Sequence, residues 1–135
     1  MSSNVKCLLI DDDTDDHEIF KMALEAIDKS IFCDCINESV DAIEKLKTNK
    51  SFVPEIIFVD MNMPAMNGVE CLAEIRKIDR LKEVPVIFYS TFADPAKVTE
   101  MKKLGAAEYF EKPSDIDVLI NKLSSIFKEF NFFKQ

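Results

Sequence analysis

The chain has 135 residues, 47% hydrophobic and 31% charged, the length and makeup of one packed domain rather than a disordered segment. Its 25 acidic residues against 17 basic ones give a formal charge of −8, which opposes general binding to nucleic-acid phosphates. No apolar run approaches the ~20 residues that span a bilayer, and Met1-Ser2-Ser3-Asn4-Val5-Lys6 reaches acids too soon for a secretory signal, so a cytoplasmic protein without membrane or nucleic-acid partners is expected.

The first predicted strand is Val5–Ile10, and it runs into Asp11-Asp12-Asp13. A helix follows, capped by Thr14 or Asp13, with acids in its first turn and Ile19, Phe20, Ala23, Leu24 and Ile27 on one face. His17 in its first turns is expected to be a solvated helix residue. The second strand is Ile31–Ile36. Ser39 is expected to cap a second helix that turns Val40, Ile43 and Leu46 inward. The third strand, Glu55–Val59, runs into Asp60-Met61-Asn62-Met63-Pro64. Asn67 or Gly68 starts a third helix with Leu72, Ile75 and Ile78 inward. The fourth strand, Val86–Tyr89, ends at Ser90 and Thr91. Asp94-Pro95 opens a fourth helix with Pro95 at its first position, and Val98, Met101 and Leu104 form its stripe. Gly105 is suited to end that helix. The fifth strand, Ala107–Phe110, leads to Lys112-Pro113. Ser114 or Asp115 caps the last helix, whose stripe is Ile116, Leu119, Ile120, Leu123, Ile126, Phe127 and Phe130.

Five strands alternating with five helices predict an α/β fold, a (βα)5 doubly wound parallel five-stranded sheet of flavodoxin-like kind. Mostly apolar strands fit a sheet covered on both faces. No repeat, linker or room for a second domain is evident, so residues 1–135 are expected to form a single domain with its core at about 4–130 and no output domain.

In such a fold a site forms beyond the carboxyl ends of the strands, at the switch in strand order. Asp11 and Asp12 follow the first strand and Asp60 follows the third. Taken alone, Asp11 and Asp12 read equally well as caps for the next helix, which is the reading favoured for Asp13. A third carboxylate from another strand end favours a divalent cation with oxygen ligands, Mg2+ above all. A lysine at a strand end is usually solvated surface. Opposite carboxylates, Lys112 becomes a partner for Asp60 and a clamp for phosphoryl oxygens. The Ser90 hydroxyl can donate to such an oxygen.

Cys33-x-Cys35 lacks the spacing of a CxxC pair, and Cys7, Cys33 and Cys71 read as small core hydrophobes. Phe132 and Phe133, in the aromatic tail, fit no stripe; either they fold back on the domain or they join a partner or dimer surface.

The sequences Leu9-Ile10-Asp11-Asp12-Asp13, Val59-Asp60-Met61-Asn62-Met63-Pro64 with Gly68, Pro85-Val86-Ile87-Phe88-Tyr89-Ser90 and Tyr109-Phe110-Glu111-Lys112-Pro113 occur in order along the chain. Together they resemble the receiver domain of bacterial two-component response regulators, of the stand-alone, chemotaxis-regulator-like type. The resemblance implies a phosphorelay signal-transduction switch rather than an enzyme, a phosphoprotein carrying an aspartyl phosphate. Asp60 would accept a phosphoryl group from a sensor histidine kinase or histidine phosphotransfer protein. Mg2+ would be held by Asp12 and Asp60, by Asp11 through a water, and by the backbone carbonyl of Asn62. Lys112 would pair with Asp60 and then with the phosphoryl group. Ser90 would be the switch hydroxyl and Tyr109 the aromatic rotamer switch. A downstream protein would read the face made by the fourth helix, fifth strand and fifth helix, and a phosphorylation-dependent homodimer is admitted. Lys112-Pro113 would be a cis peptide. Asn62 and Phe92 would tune dephosphorylation; Phe92 stands near the path of the hydrolytic water and either excludes it or simply packs on its loop.

Other readings fit less well. A haloacid-dehalogenase-type phosphohydrolase needs a DxDx[TV] pattern, and Asp11-Asp12-Asp13-Thr14-Asp15 places its threonine one residue early. A calcium loop beginning at Asp11 would have Asp16 in place of its glycine and Met22 in place of its final glutamate. The serious alternative is a pseudo-receiver, a protein-interaction module that works without phosphorylation. The presence of Asp11, Asp12, Asp60, Ser90 and Lys112 together opposes it.

Overall fold

The computed structural model describes residues 5–91, 94–130 and 132. The elements alternate along the chain: β1 Lys6–Ile10, α1 Thr14–Ile27, β2 Phe32–Ile36, α2 Ser39–Thr48, β3 Ile56–Val59, α3 Gly68–Arg76, a 3-10 turn at Asp79–Leu81, β4 Val86–Ser90, α4 Pro95–Lys103, β5 Glu108–Glu111 and α5 Ile116–Glu129. The five strands are parallel in the order β2-β1-β3-β4-β5, the doubly wound sheet expected from the alternation.

The strand composition explains the layering. β1, β3 and β4 are buried along nearly their whole length, so successive side chains feed opposite faces. Leu8, Ile10, Ile57, Val59 and Phe88 pack under α2, α3 and α4, where Leu46, Leu72, Ile75 and Met101 meet them. Leu9, Phe58, Ile87 and Tyr89 point the other way, against Phe20 and Leu24 of α1 and Leu119, Leu123, Ile126 and Phe127 of α5. The edge strand β2 carries Asp34 and is only half-buried.

Helix starts follow local chemistry. The Asp13, Asp94 and Asp115 side chains accept from the amides of Asp15, Ala96 and Asp117, so Asp13 rather than Thr14 caps α1 and Asp115 rather than Ser114 caps α5. Asn67 caps α3 in a reciprocal capping box with Glu70. Pro95 stands at the start of α4, and Gly105 follows that helix with φ 90°, a conformation that costs glycine little.

Several expectations need correction. Ser39 does not cap α2: Glu38 occupies the cap without a side-chain bond, and the Ser39 hydroxyl donates instead to the Met66 carbonyl at 2.7 Å. Val40 and Ile19 are exposed, because the buried arcs are carried by Ala42, Ile43 and Leu46 in α2 and by Phe20, Ala23 and Leu24 in α1. His17 is buried rather than solvated. The Lys112–Pro113 peptide is trans, as no cis bond occurs among the described residues; the intrinsic trans preference of an X–Pro bond prevails here. Cys7 and Cys71 are core residues, whereas Cys33 and Cys35 are half-buried on β2. Phe132 does fold back: its amide donates to the Phe127 carbonyl at 2.9 Å, and its ring meets that of Phe127 at a centroid distance of 5.8 Å. Phe133 lies outside the described residues.

Candidate functional site at the carboxyl ends of β1, β3 and β5

The strand order reverses between β1 and β3, and the chain leaves both strands there as an aspartate. The Asp60 amide donates to Ile10 O at 2.9 Å and the Asp11 amide to Ile36 O at 3.1 Å, so the sheet ladder itself fixes both backbones. One carboxylate oxygen from each of Asp11, Asp12 and Asp60 falls within 4.8 Å of the other two. Asp11 and Asp60 are buried and Asp12 is exposed. Three hard oxygen donors closed on the sheet side and open toward solvent fit Mg2+, which keeps several waters. The chain's next turn depends on Gly68: a Cβ there would stand 2.6 Å from Asp60 O and 2.8 Å from Met61 Cα. Only glycine permits that approach.

Lys112 closes the site from β5, where its amide donates to Ser90 O at 2.8 Å. Its Nζ lies 2.5 Å from Asp16 Oδ2, 2.8 Å from Asp11 Oδ2 and 3.4 Å from Asp60 Oδ2, over the Tyr89 ring at 5.3 Å from the centroid. Burial alone would lower the ammonium's pKa. The close contacts with Asp11 and Asp16 and the charges of Asp11 and Asp60 outweigh it and raise the value. For Asp11 the balance runs the other way. Burial, helped by the Asp60 charge, pushes its carboxyl up to about 6, although Lys112 and the Asp13 amide pull it down. Clustered carboxylates with only one ammonium among them are thus partly frustrated, and a cation would relieve them.

On the β4 side, Ser90 is fully buried and its Oγ accepts from Asn62 Nδ2 at 3.1 Å. The Asn62 amide donates to Asp60 Oδ1 at 3.2 Å. Tyr109 of β5 is paired in register with Phe88 of β4 and is half-buried against the α2–α3–α4 layer. Asp11, Asp12, Asp60, Asn62, Ser90 and Lys112 therefore meet at one end of the sheet, as expected. Tyr109 lies on β5, three residues before Lys112. Phe92 lies outside the described residues.

Sequence reasoning missed Asp16 and His17. Asp16 read as one more acid of a helix first turn, yet it makes the shortest contact to Lys112. His17 Nε2 is 2.6 Å from the Asp11 carbonyl oxygen. A carbonyl can only accept, so Nε2 carries a proton. A helix register of one face every three to four residues would have paired His17 with the buried Phe20 and Leu24, a signal available but unused.

Residues 7–124 match the response regulator receiver domain family. Chemotaxis protein CheY1 of Helicobacter pylori is 31% identical over 122 residues, which cover 90% of this chain and 96% of that protein. Chemotaxis protein CheY-3 of Vibrio cholerae is 28% identical over 128 residues, covering 95% of each. The phosphorylated cyanobacterial phytochrome response regulator RcpA shares the fold with a TM-score of 0.84 over 93% of each chain at 23% identity. The receiver domain of the Francisella response regulator 1452 superposes with a TM-score of 0.73 at 27% identity, covering 94% of this chain and 99% of that one. Among the described residues no helix is long and apolar enough to cross a membrane. Over most of its length, this chain belongs to the receiver domains of two-component response regulators, a family in which aspartate phosphorylation and Mg2+ are typical.

Proposed function

We propose that this chain is a phosphorylation-operated signalling switch in which Asp60 is the acceptor. The observation that carries the reading is the convergence of the Asp11, Asp12 and Asp60 carboxylates on one side and the Lys112 ammonium on the other, at the switch point of the sheet. The donor would be a phosphohistidine of a sensor kinase or phosphotransfer protein. An Asp60 oxygen forms the new bond to phosphorus while the P–N bond breaks. The imidazole leaves with the bonding pair and takes up a proton. Asp11, Asp12, Asp60 and the Asn62 carbonyl would hold Mg2+ there, and its charge would offset the repulsion between the two approaching anions. Lys112, already 3.4 Å from Asp60 Oδ2, binds the incoming phosphoryl oxygens.

The added charge gives the Ser90 hydroxyl an anionic acceptor for its proton, whereas in its contact with Asn62 the hydroxyl oxygen accepts. Its movement leaves room beside β4 for Tyr109, which is half-buried at the edge of the α4 layer. The α4–β5–α5 face then changes shape for a downstream protein or for a second copy of the chain. Phe92 and Asn62 tune the lifetime of the phosphoryl group: replacing Phe92 with Glu or Asn lets a water be oriented, and hydrolysis quickens. Residues 1–135 act as one receiver, and the cytoplasm, where the donor kinases act, is its place.

The test is intact mass after incubation with acetyl phosphate and Mg2+. Wild type gains one phosphoryl group and Asp60→Asn gains none. Absence of any gain in wild type, with a cognate kinase as well, would mean a protein-binding module that does not use phosphate.

A further inference from the structure

We propose that Asp16 is a positioning residue that holds Lys112 back from Asp60 and so restrains capture of the phosphoryl group. The proposal rests on Asp60 being the phosphoacceptor.

Lys112 Nζ has three hydrogens and faces three carboxylates. It is closest to Asp16, at 2.5 Å, next to Asp11, at 2.8 Å, and furthest from Asp60, at 3.4 Å. Asp16 is the only one of the three that the acidic cation cluster does not include. Its carboxylate therefore stays with the lysine whether or not a cation is present. It is also held firmly: it belongs to the first turn of α1, its amide donates to Asp13 O at 3.1 Å, and the helix start favours its negative charge. The pair is sheltered, with the side chains of Lys112 and Asp16 10% and 21% exposed, so solvent screens it only in part.

A phosphoryl group on Asp60 must draw the ammonium to its own oxygens. With Asp16 in place that draw is opposed twice. The lysine must share or give up its shortest contact, and a fixed negative charge faces the arriving anion. Neutralising Asp16 lifts both obstacles. It also turns Lys112 toward Asp11 and Asp60, where the ammonium competes with a bare cation. The two effects have opposite signs: phosphoryl-like anions bind more tightly, and Mg2+ alone binds more weakly. General damage to the site would weaken both.

The experiment titrates wild type, Asp16→Asn, Asp16→Glu and Asp60→Asn with Mg2+ alone, and then with beryllofluoride, a phosphoryl mimic, at saturating Mg2+. Amide NMR shifts report both equilibria. Asp16→Asn is expected to bind beryllofluoride about three- to tenfold more tightly, the scale of a partly sheltered ion pair, and Mg2+ about twofold or more weakly. Asp16→Glu keeps the charge and stays within about twofold of wild type. Asp16→Ser repeats the neutral case should the amide fold poorly. Unchanged or weaker beryllofluoride binding in the folded neutral variants would overturn the role of Asp16 alone. Wild type that binds no beryllofluoride would overturn the Asp60 reading and this proposal with it.

Discussion

The Asn62 side-chain amide donates to the buried Ser90 hydroxyl at 3.1 Å, tying the loop that leaves β3 to the end of β4. The residue two past the acidic end of β3 and the hydroxyl that ends β4 are thus joined before any phosphoryl group arrives. Asn62→Ala removes this donor and should lower the unfolding free energy by about 1 kcal/mol, the usual net worth of such a bond. Ser90→Ala should still accept phosphoryl on Asp60 but lose the response of the Tyr109 ring, read by ring NMR signals with and without beryllofluoride. A Tyr109 response that survives Ser90→Ala would refute the coupling.

Asp11 predicts a pH dependence with a definite sign. Its carboxyl is pushed up to about 6 in the folded protein, against 3.8 when unperturbed. Between those values the native state holds the proton more tightly than the unfolded chain does. Stability contributed by this group is therefore lost as pH rises through that window. Without metal, wild type should fall behind Asp11→Asn by on the order of 2 kcal/mol between about pH 4 and pH 6 and stay behind above it. Urea unfolding of both proteins in EDTA checks this. The same proton should weaken Mg2+ binding below about pH 6. A gap between the two proteins that narrows as pH rises would contradict the sign.

Gly68 predicts a steric effect at a distance from the carboxylates. A methyl group there meets Asp60 O and Met61 Cα, both backbone atoms that cannot turn aside. Gly68→Ala should cost roughly 1–3 kcal/mol and also weaken beryllofluoride binding, because the strain is relieved by moving the Asp60 backbone. The urea midpoint and the titration together test it; loss of stability with binding intact would mean that α3 yields instead of Asp60.

His17 predicts a structural cost. Its Nε2–H meets the carbonyl of Asp11 at 2.6 Å inside the fold. His17→Leu leaves that carbonyl without this donor and should destabilise by about 1–3 kcal/mol. Asn in place of His17 should recover less than Gln, whose longer side chain reaches further. Stability equal to wild type in His17→Leu would show that another donor replaces the ring.

Most of the fold can be read from the sequence because it rests on local signals. Apolar runs such as Ile56–Val59, the Asp94-Pro95 helix start and the stripe of α5 each specify their own element, and strand alternation with helices then dictates a parallel sheet. Asp11, Asp60 and Lys112 were legible because strand carboxyl ends must converge. What depended on helix rotation was less so. Ile19 and Val40 are apolar residues at the margins of their stripes, and a shift of one position separates buried from exposed. Asp16 was hidden for a different reason. Its partner Lys112 is 96 residues away, and only the packing of α1 beside the end of β5 brings them together. Ser39 shows the same limit: a cap by composition, it is drawn instead to the Met66 carbonyl from the neighbouring loop.

The most direct test of the central claim is chemical mapping of the phosphorylated residue. After incubation with acetyl phosphate and Mg2+, borohydride reduction converts an aspartyl phosphate to homoserine, which peptide mass spectrometry locates. The account predicts homoserine at position 60 in wild type, dependent on Mg2+, and at no other aspartate. Homoserine at Asp11 or Asp12, or none anywhere in protein that has gained a phosphoryl group, would contradict it.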